Sequence, residues 1–491
     1  MPFLRCVSNK RKAAPACATT RSALTSVKNP FSVTTGATDS LAGAKPRHDA
    51  PGMPGSPTRL EHGLGLSLGL VPALAFLHPT GYSVGPVLLL LGSIAFWLRH
   101  RHAHRFWADL PTSVKLIIIA LATYALVWMT DGLIRGEGVR DTDRPSRFLF
   151  AAFCLLVIAH ARIHAAWLWA GIAFGGISTG ALAIGQKLID GASRATGMTQ
   201  TVQYGNVSMA VGLTCLAGLP WALAREPRDA RVIWTAAMVI GGMGGVLAGF
   251  LSGTRGSWLA LIAVLPVALW TAVQLRQVRR FLLGLPVVLT LAIGGLYLTP
   301  ETSVKARFDT AVDQIHDYFV EDKKTGSVPY RLEMWKGAWV IFTESPLIGH
   351  GEIATLERLK ALGDEGVIVK GASRYTHMHN DWFDVLAKRG ILGFIVLLGV
   401  YTLPIAWFAR YPRRSLASDV PTDRSTITAA MRERIGLASA GITFPVALIA
   451  SGMSQVNFAH NSGAMMYAFM IAGLVGVSVV LGDEPTRRAH A

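Results

Sequence analysis

The chain has 491 residues, of which 51% are hydrophobic and only 16% charged, and its mean hydropathy is +0.39. That is too apolar for an ordinary soluble domain, so a membrane protein is the first expectation. The formal net charge of +17 raises nucleic acid as a partner. No basic segment is interleaved with aromatic residues and no nucleic-acid motif appears, so that class is set aside.

Residues 1–60 are rich in Ala, Ser, Thr, Pro and Lys/Arg and lack the apolar core of a signal peptide. They read as a disordered basic tail, with Met53 as a second candidate start. Twelve apolar runs follow, near residues 63–78, 82–98, 114–130, 148–161, 165–185, 205–224, 232–250, 256–273, 281–298, 391–409, 435–452 and 462–482. Crossing a bilayer as a helix takes about 20 residues, and the fourth run is the shortest of the set. An even number of spans puts both termini on one side. Sorting the charges accordingly places the whole excess of +17 with the termini and leaves the opposite side neutral. The positive-inside bias then puts both termini, including the short tail 483–491, in the cytoplasm. Cys6 and Cys17 lie in the tail and Cys154 and Cys215 in apolar runs, so no disulfide framework or Cys-based metal spacing is expected. The expected fold class is an all-α polytopic membrane protein with about twelve transmembrane helices. Helices 1–9 fall in residues 61–298 and helices 10–12 in residues 381–482.

Between the ninth and tenth runs lies one large polar segment, residues 299–380, expected on the outer, periplasmic side. A loop of this length is uncommon without a function, and it carries helical patterns of its own. Phe308, Val312, Ile315 and Phe319 recur at helical spacing among charged residues, the pattern of an amphipathic helix lying on a membrane face. Tyr330 to Glu344 aligns Met334, Trp335, Ala338, Trp339 and Phe342 on one stripe and ends before Pro346. A third, short helix is expected from about Ala354 to Leu362, stopped by Gly363.

Four places on the neutral side combine polar groups with apolar neighbours. The sharpest is His377-Met378-His379-Asn380-Asp381, where Asn380 is a good N-cap and Gly390 a good stop for a helix of about three turns leading into the tenth span. His379 then sits at a helix N-terminus, which favours neutral imidazole, while Asp381 and Asp384 favour the charged form. The bland alternative is an interfacial histidine paired with Asp384. Arg255 stands in a tight Gly-rich connection between two apolar runs. An arginine at that depth costs about 2.5–3.5 kcal/mol and points at a partner or water, unless it snorkels from a helix end. Arg331 opens the Trp335/Trp339 helix, where a surface role is the default. Arg194, Gly197, Gln203, Tyr204, Gly205 and Asn206 form the fourth place. Trp335, Trp339 and Trp382 are candidates for stacking on a bound ligand, although interfacial tryptophans are usual in membrane proteins. Asp141-Thr-Asp143 offers an acidic pair for a metal, flanked by Arg140 and Arg144 as ordinary salt-bridge partners, and His377-x-His379 offers a zinc pair without a third ligand at a recognisable spacing. The expectation is therefore no metal and no cofactor.

His379-Asn380, nine residues, Gly390, two residues, Gly393 resembles the H-[NSQ]-x9-G-x-x-[GTY] signature of the O-antigen ligase superfamily. Arg331 with Trp335, then Pro346, Gly349 and Gly351, is similar to that family's R-x3-W and P-x2-G-x-G, and Thr254-Arg255-Gly256 to its S/T-R-G. The likeness runs from about residue 110 to 480. It implies a glycosyltransferase of lipopolysaccharide biosynthesis at the periplasmic face of the bacterial inner membrane. The implied donor is undecaprenyl diphosphate-linked O-antigen and the implied acceptor lipid A-core oligosaccharide. On that resemblance His379 removes the acceptor's proton. Arg255, Arg331 and more weakly Arg194 hold the diphosphate, and Asn380, Asp384, Trp335 and Tyr204 give support. Polymerases and protein O-oligosaccharyltransferases of the superfamily use the same donor and remain alternatives. A flippase of the same lipid-linked glycan is the rival of a different class. It should carry charges along a central path, whereas here the polar features gather at one face.

Overall fold

The computed structural model describes residues 57–102, 105–138, 143–275, 304–414 and 428–489, with scattered positions between 284 and 299. Among them every long regular element is an α-helix. The first, α1 (Arg59–Ala73), starts at a capping box in which Thr58 and Glu61 satisfy each other's backbone N–H. Then come α2 (Gly81–His100), α3 (Thr112–Ile134), α4 (Ser146–Ile158), α5 (Ala165–Ile184), α6 (Thr201–Ala217), α7 (Leu219–Leu223), α8 (Arg228–Leu251) and α9 (Arg255–Gln274). After the polar segment, α13 (Asp381–Arg414), α14 (Ala429–Gly452) and α15 (Asn461–Ala489) complete the bundle.

Among the described residues, nine helices are long and apolar enough to cross a membrane, with α6 and α7 counting as one. Two further predicted runs appear as shorter helices, α1 with 15 residues and α4 with 13. The predicted run 281–298 lies for the most part outside the described residues, as do the basic tail 1–56 and Asp141. The polytopic all-α class expected from composition is the class observed.

Helices α6, α14 and α15 are buried over most of their length, and the others bury one face and present Leu, Ile and Val outward. Small residues let the inner helices approach closely: a methyl group on Gly176 of α5 would stand 2.1 Å from the Gly241 carbonyl oxygen of α8. At one end of the bundle the polar segment forms a helical cap, built of α10 (Val304–Val320), α11 (Ser327–Glu344) and α12 (Glu352–Asp364). Met334, Ala338 and Ile341 of α11 close on Leu359 and Leu362 of α12 and on Met378 as a small core separate from that of the bundle. Each large apolar side chain fully buried there contributes about 1.5–3 kcal/mol. The amphipathic α10 is the outlier, since its Phe308, Val312, Ile315 and Phe319 are all exposed.

Cap and bundle interlock where two sequence motifs meet. The chain turns after α11 at Pro346 and runs back along the first turns of α13. His350 and Gly351 donate to the carbonyls of Ala387 and Lys388 at 3.1 and 2.8 Å. Ile391 and Leu392 donate to the carbonyls of Pro346 and Leu347 at 2.8 and 3.2 Å. Those are the orphan groups a helix break leaves behind. The break is at Gly390, at φ 60° and ψ −160°, a conformation essentially confined to glycine. A methyl group there would also stand 2.5 Å from the Leu347 carbonyl. Lys388, 2% exposed, ties the same junction to Glu352 of α12 at 2.7 Å and to Asp384 at 3.0 Å. Arg389 adds Asp131 of α3 at 3.4 Å.

Candidate functional site

Asn380 caps the start of α13, its side-chain oxygen accepting from the Trp382 and Phe383 amides at 2.9 and 3.3 Å, while its amide nitrogen donates to the Met453 carbonyl at 3.1 Å. The cap fixes the residue before it. His379 takes a left-handed backbone, φ 49°, which non-glycine residues rarely adopt. Asp384 accepts from the Met378 amide at 3.0 Å and pairs with Lys388, so it braces the histidine loop. The His379–Asp384 pairing of the bland alternative is not observed. The imidazole instead meets Gln455 from the link between α14 and α15, Nδ1 to Oε1 at 2.6 Å. Burial holds His379 below the usual histidine range and Arg331 pushes it further, against the Gln455 hydrogen bond and Asp384. It is therefore neutral at physiological pH. His377, its ring tilted against that of His379 at 4.3 Å between ring centres, is pushed down to about 3 by burial and by His379, Lys388 and His460.

The arginines come from four separate elements. Arg255 is the first residue of α9 and its Nη1 is buried without a hydrogen-bond partner. Arg331 is in the second turn of α11. Arg194, in the loop after α5, donates Nε to the Ser252 carbonyl at 2.7 Å and Nη2 to the Thr254 hydroxyl at 3.3 Å, bracing the turn that presents Arg255. The fourth, Arg307 on α10, was not singled out from the sequence. Its guanidinium passes over Gly253, where a methyl group would stand 2.4 Å from Nε. Arg194 lies within electrostatic reach of the other three, and Arg255 within reach of Arg307 and Arg331. Burial, then Arg307, Arg331 and Arg255, pushes Arg194 down to about 10, and Arg331 is lowered by burial and by Arg255. Among the described residues no carboxylate contributes to the electrostatics of Arg194, Arg255 or Arg331. Four guanidinium groups, none of them ion-paired to a carboxylate among the described residues, form an anion site for a multiply charged ligand whose paired oxygens forked donors bind bidentately.

The structure separates the other expected residues. Trp335 donates its indole N–H to the Met378 carbonyl at 3.0 Å and stacks on Phe383, so it orders the histidine loop rather than offering a free face. Trp382 packs on Phe394 and Tyr401, and Trp339 is exposed. Tyr204 is fully buried with its hydroxyl on the Thr179 carbonyl at 2.6 Å, inside the bundle core and not on the site. Asp143 is occupied by Arg147 at 2.5 Å. Among the described residues, the group of three ligand-type side chains close enough to share an ion is His316, Asp317 and Glu321 on α10, which does not include His377 or His379.

Arg307 escaped notice because the period of α10 marks it as water-facing beside Phe308; only the turn at Gly253 shows what it faces. Gln455 and His460 escaped because neutral polar residues in a short connection look like any loop. The signal was there in the density of Ser454, Gln455, Asn457, His460 and Asn461 between two wholly apolar runs.

Residues 236–398 match the family model described as O-antigen ligase, and that stretch contains Arg255, Arg307, Arg331, His379 and the Gly390 break. A protein of Haemophilus influenzae described as uncharacterized is 22% identical over 411 residues, 83% of this chain and 97% of that protein. The family match supports assignment to the O-antigen ligase superfamily and an O-antigen ligase or polymerase type of function.

Proposed function

We propose that the chain is a glycosyltransferase of the O-antigen ligase superfamily and transfers O-antigen from undecaprenyl diphosphate to lipid A-core oligosaccharide at the periplasmic face of the inner membrane. The observation that carries this is a cluster of four arginines, unpaired with any carboxylate among the described residues, one of which, Arg331, acts on a neutral histidine. The acceptor hydroxyl oxygen attacks the anomeric carbon, and His379 takes the hydroxyl proton, a role worth typically 10² to 10⁴ in rate. The bond from the anomeric carbon to the diphosphate oxygen breaks, and undecaprenyl diphosphate leaves with the electron pair. Arg255, Arg331 and Arg307 stabilise that charge with preorganised donors, and Arg194 holds their frame. Direct attack inverts the anomeric centre. Metal is not required for this step, because the guanidinium groups supply the positive charge.

The donor and the diphosphate chemistry are shared with O-antigen polymerases and protein O-oligosaccharyltransferases, so the acceptor is what the test must identify. Deleting the gene should convert smooth lipopolysaccharide to rough on a gel while full-length O-antigen accumulates on its lipid carrier. Single O-units on the core, or intact lipopolysaccharide with an unglycosylated envelope protein, would turn the assignment to the polymerase or the protein glycosyltransferase respectively.

A further inference from the structure

Nothing in the reaction as stated uses residues 453–460, yet this link between α14 and α15 supplies the imidazole's strongest contact. Gln455 is fully buried. Its Oε1 lies 2.6 Å from His379 Nδ1 and 3.4 Å from His377 Nε2, and its Nε2 lies 3.0 Å from His460 Nε2. An amide oxygen only accepts and an amide nitrogen only donates. In this arrangement His379 therefore carries its proton on Nδ1 and its Nε2 is bare, while His460 accepts on Nε2. The link is itself anchored. The Asn457 amide donates to Asp381 Oδ1 at 3.0 Å and its side-chain nitrogen to the Leu448 carbonyl at 2.8 Å, so Gln455 sits on a fixed base.

We propose that Gln455, oriented by His460, is the positioning residue that locks His379 in the Nδ1–H tautomer and aims Nε2 at the acceptor hydroxyl. This rests on the general-base reading of His379. The requirement is general: a base that must pick up a proton at one ring nitrogen needs an acceptor on the other. The choice of a neutral acceptor also has a reason. A carboxylate at this place would keep the imidazole protonated to higher pH, where it cannot act as a base. An amide orients without charging. The titratable and charged groups facing His379 are His377 and Tyr375 from its own loop, Arg331 from α11, Asp384 from α13 and, through Gln455, His460.

The test uses the full-length protein in lipid nanodiscs, with lipid-linked O-antigen and lipid A-core, measuring kcat from pH 5 to 9 and donor binding in parallel. Gln455→Leu is expected to lower kcat at pH 7 tenfold or more while donor binding changes less than twofold. Gln455→Glu restores an acceptor that is charged. Its acid limb is expected to move up by about one pH unit or more, with most of the wild-type rate regained above the limb. A Gln455→Glu enzyme whose limb stays at the wild-type position, or which is inactive at every pH, overturns the proposal, as does a Gln455→Leu enzyme with wild-type kcat. His379→Ala separates the two readings. If it keeps turnover, the general base falls and Gln455 with it; if it is inactive while the Gln455→Glu limb is unmoved, only the role of Gln455 falls.

Discussion

Arg307 is the residue on which the anion site is most open to refutation, because the helix that carries it has no other reason to place a cation there. Its guanidinium is half-buried over Gly253 and faces Arg194 and Arg255. A hydrogen bond to a charged group contributes about 1.5–3 kcal/mol net. At 1.4 kcal/mol per factor of ten, Arg307→Ala should lower kcat/KM for the lipid-linked donor roughly 10- to 150-fold. Arg307→Lys keeps the charge and loses the fork, so it should fall between wild type and alanine. Stability should move the other way. Removing one of four mutually repelling cations from the empty site should leave the melting temperature unchanged or higher, the usual relation between a functional cluster and stability. The assay is ligation by purified protein in nanodiscs under varied donor concentration, with a thermal melt on the same preparations. An Arg307→Ala protein that melts lower and turns over donor at the wild-type kcat/KM would show that Arg307 is only a structural contact, and the four-arginine site would reduce to three.

Gly390→Ala should destabilise the protein by at least the roughly 1–3 kcal/mol of a strained backbone position, since the added methyl also meets the Leu347 carbonyl; a melt within a degree of wild type would refute the junction. Because burial and Arg331 lower the pKa of His379, and the neutral imidazole is the active form, kcat should hold as pH falls through 6.5 and decline only below it. An acid limb above pH 6.5 would contradict that sign. Ligation should survive excess EDTA, and Asp143→Ala should remain active; activity lost to EDTA and restored by added Mg²⁺ or Mn²⁺ would bring back a metal. A cysteine in place of Thr325 should react with an impermeant thiol reagent in intact spheroplasts, and labelling only after lysis would invert the topology.

What was legible in the sequence is what depends on local pattern. Apolar runs of sufficient length gave the long helices, and the spacing of Met334, Ala338 and Phe342 gave α11 before its packing was known. Asn380 and Gly390 bounded the first turns of α13 because capping is a property of a few adjacent residues. Arg255, Arg331 and His379 were found because they are charged or titratable beside apolar runs. What was not legible depends on contacts between residues far apart in the chain. Nothing local distinguishes Gln455 from a solvated loop residue, and only the fold shows that Asp384 pairs with Lys388 rather than with His379. Tyr204 shares a polar stretch with Asn206, yet faces Thr179, because the helical turn between them points their side chains to different sides.

An anion site made of arginines alone has one more effect. The diphosphate is not consumed by the transfer: it stays on the lipid carrier, with a charge at least as large as before the sugar left. On the proposed reading the site therefore grips its by-product as firmly as its donor. Turnover is then governed by how quickly the spent carrier is pulled out of the protein and hydrolysed or recycled, and the ligase becomes an early casualty of any block in carrier recovery.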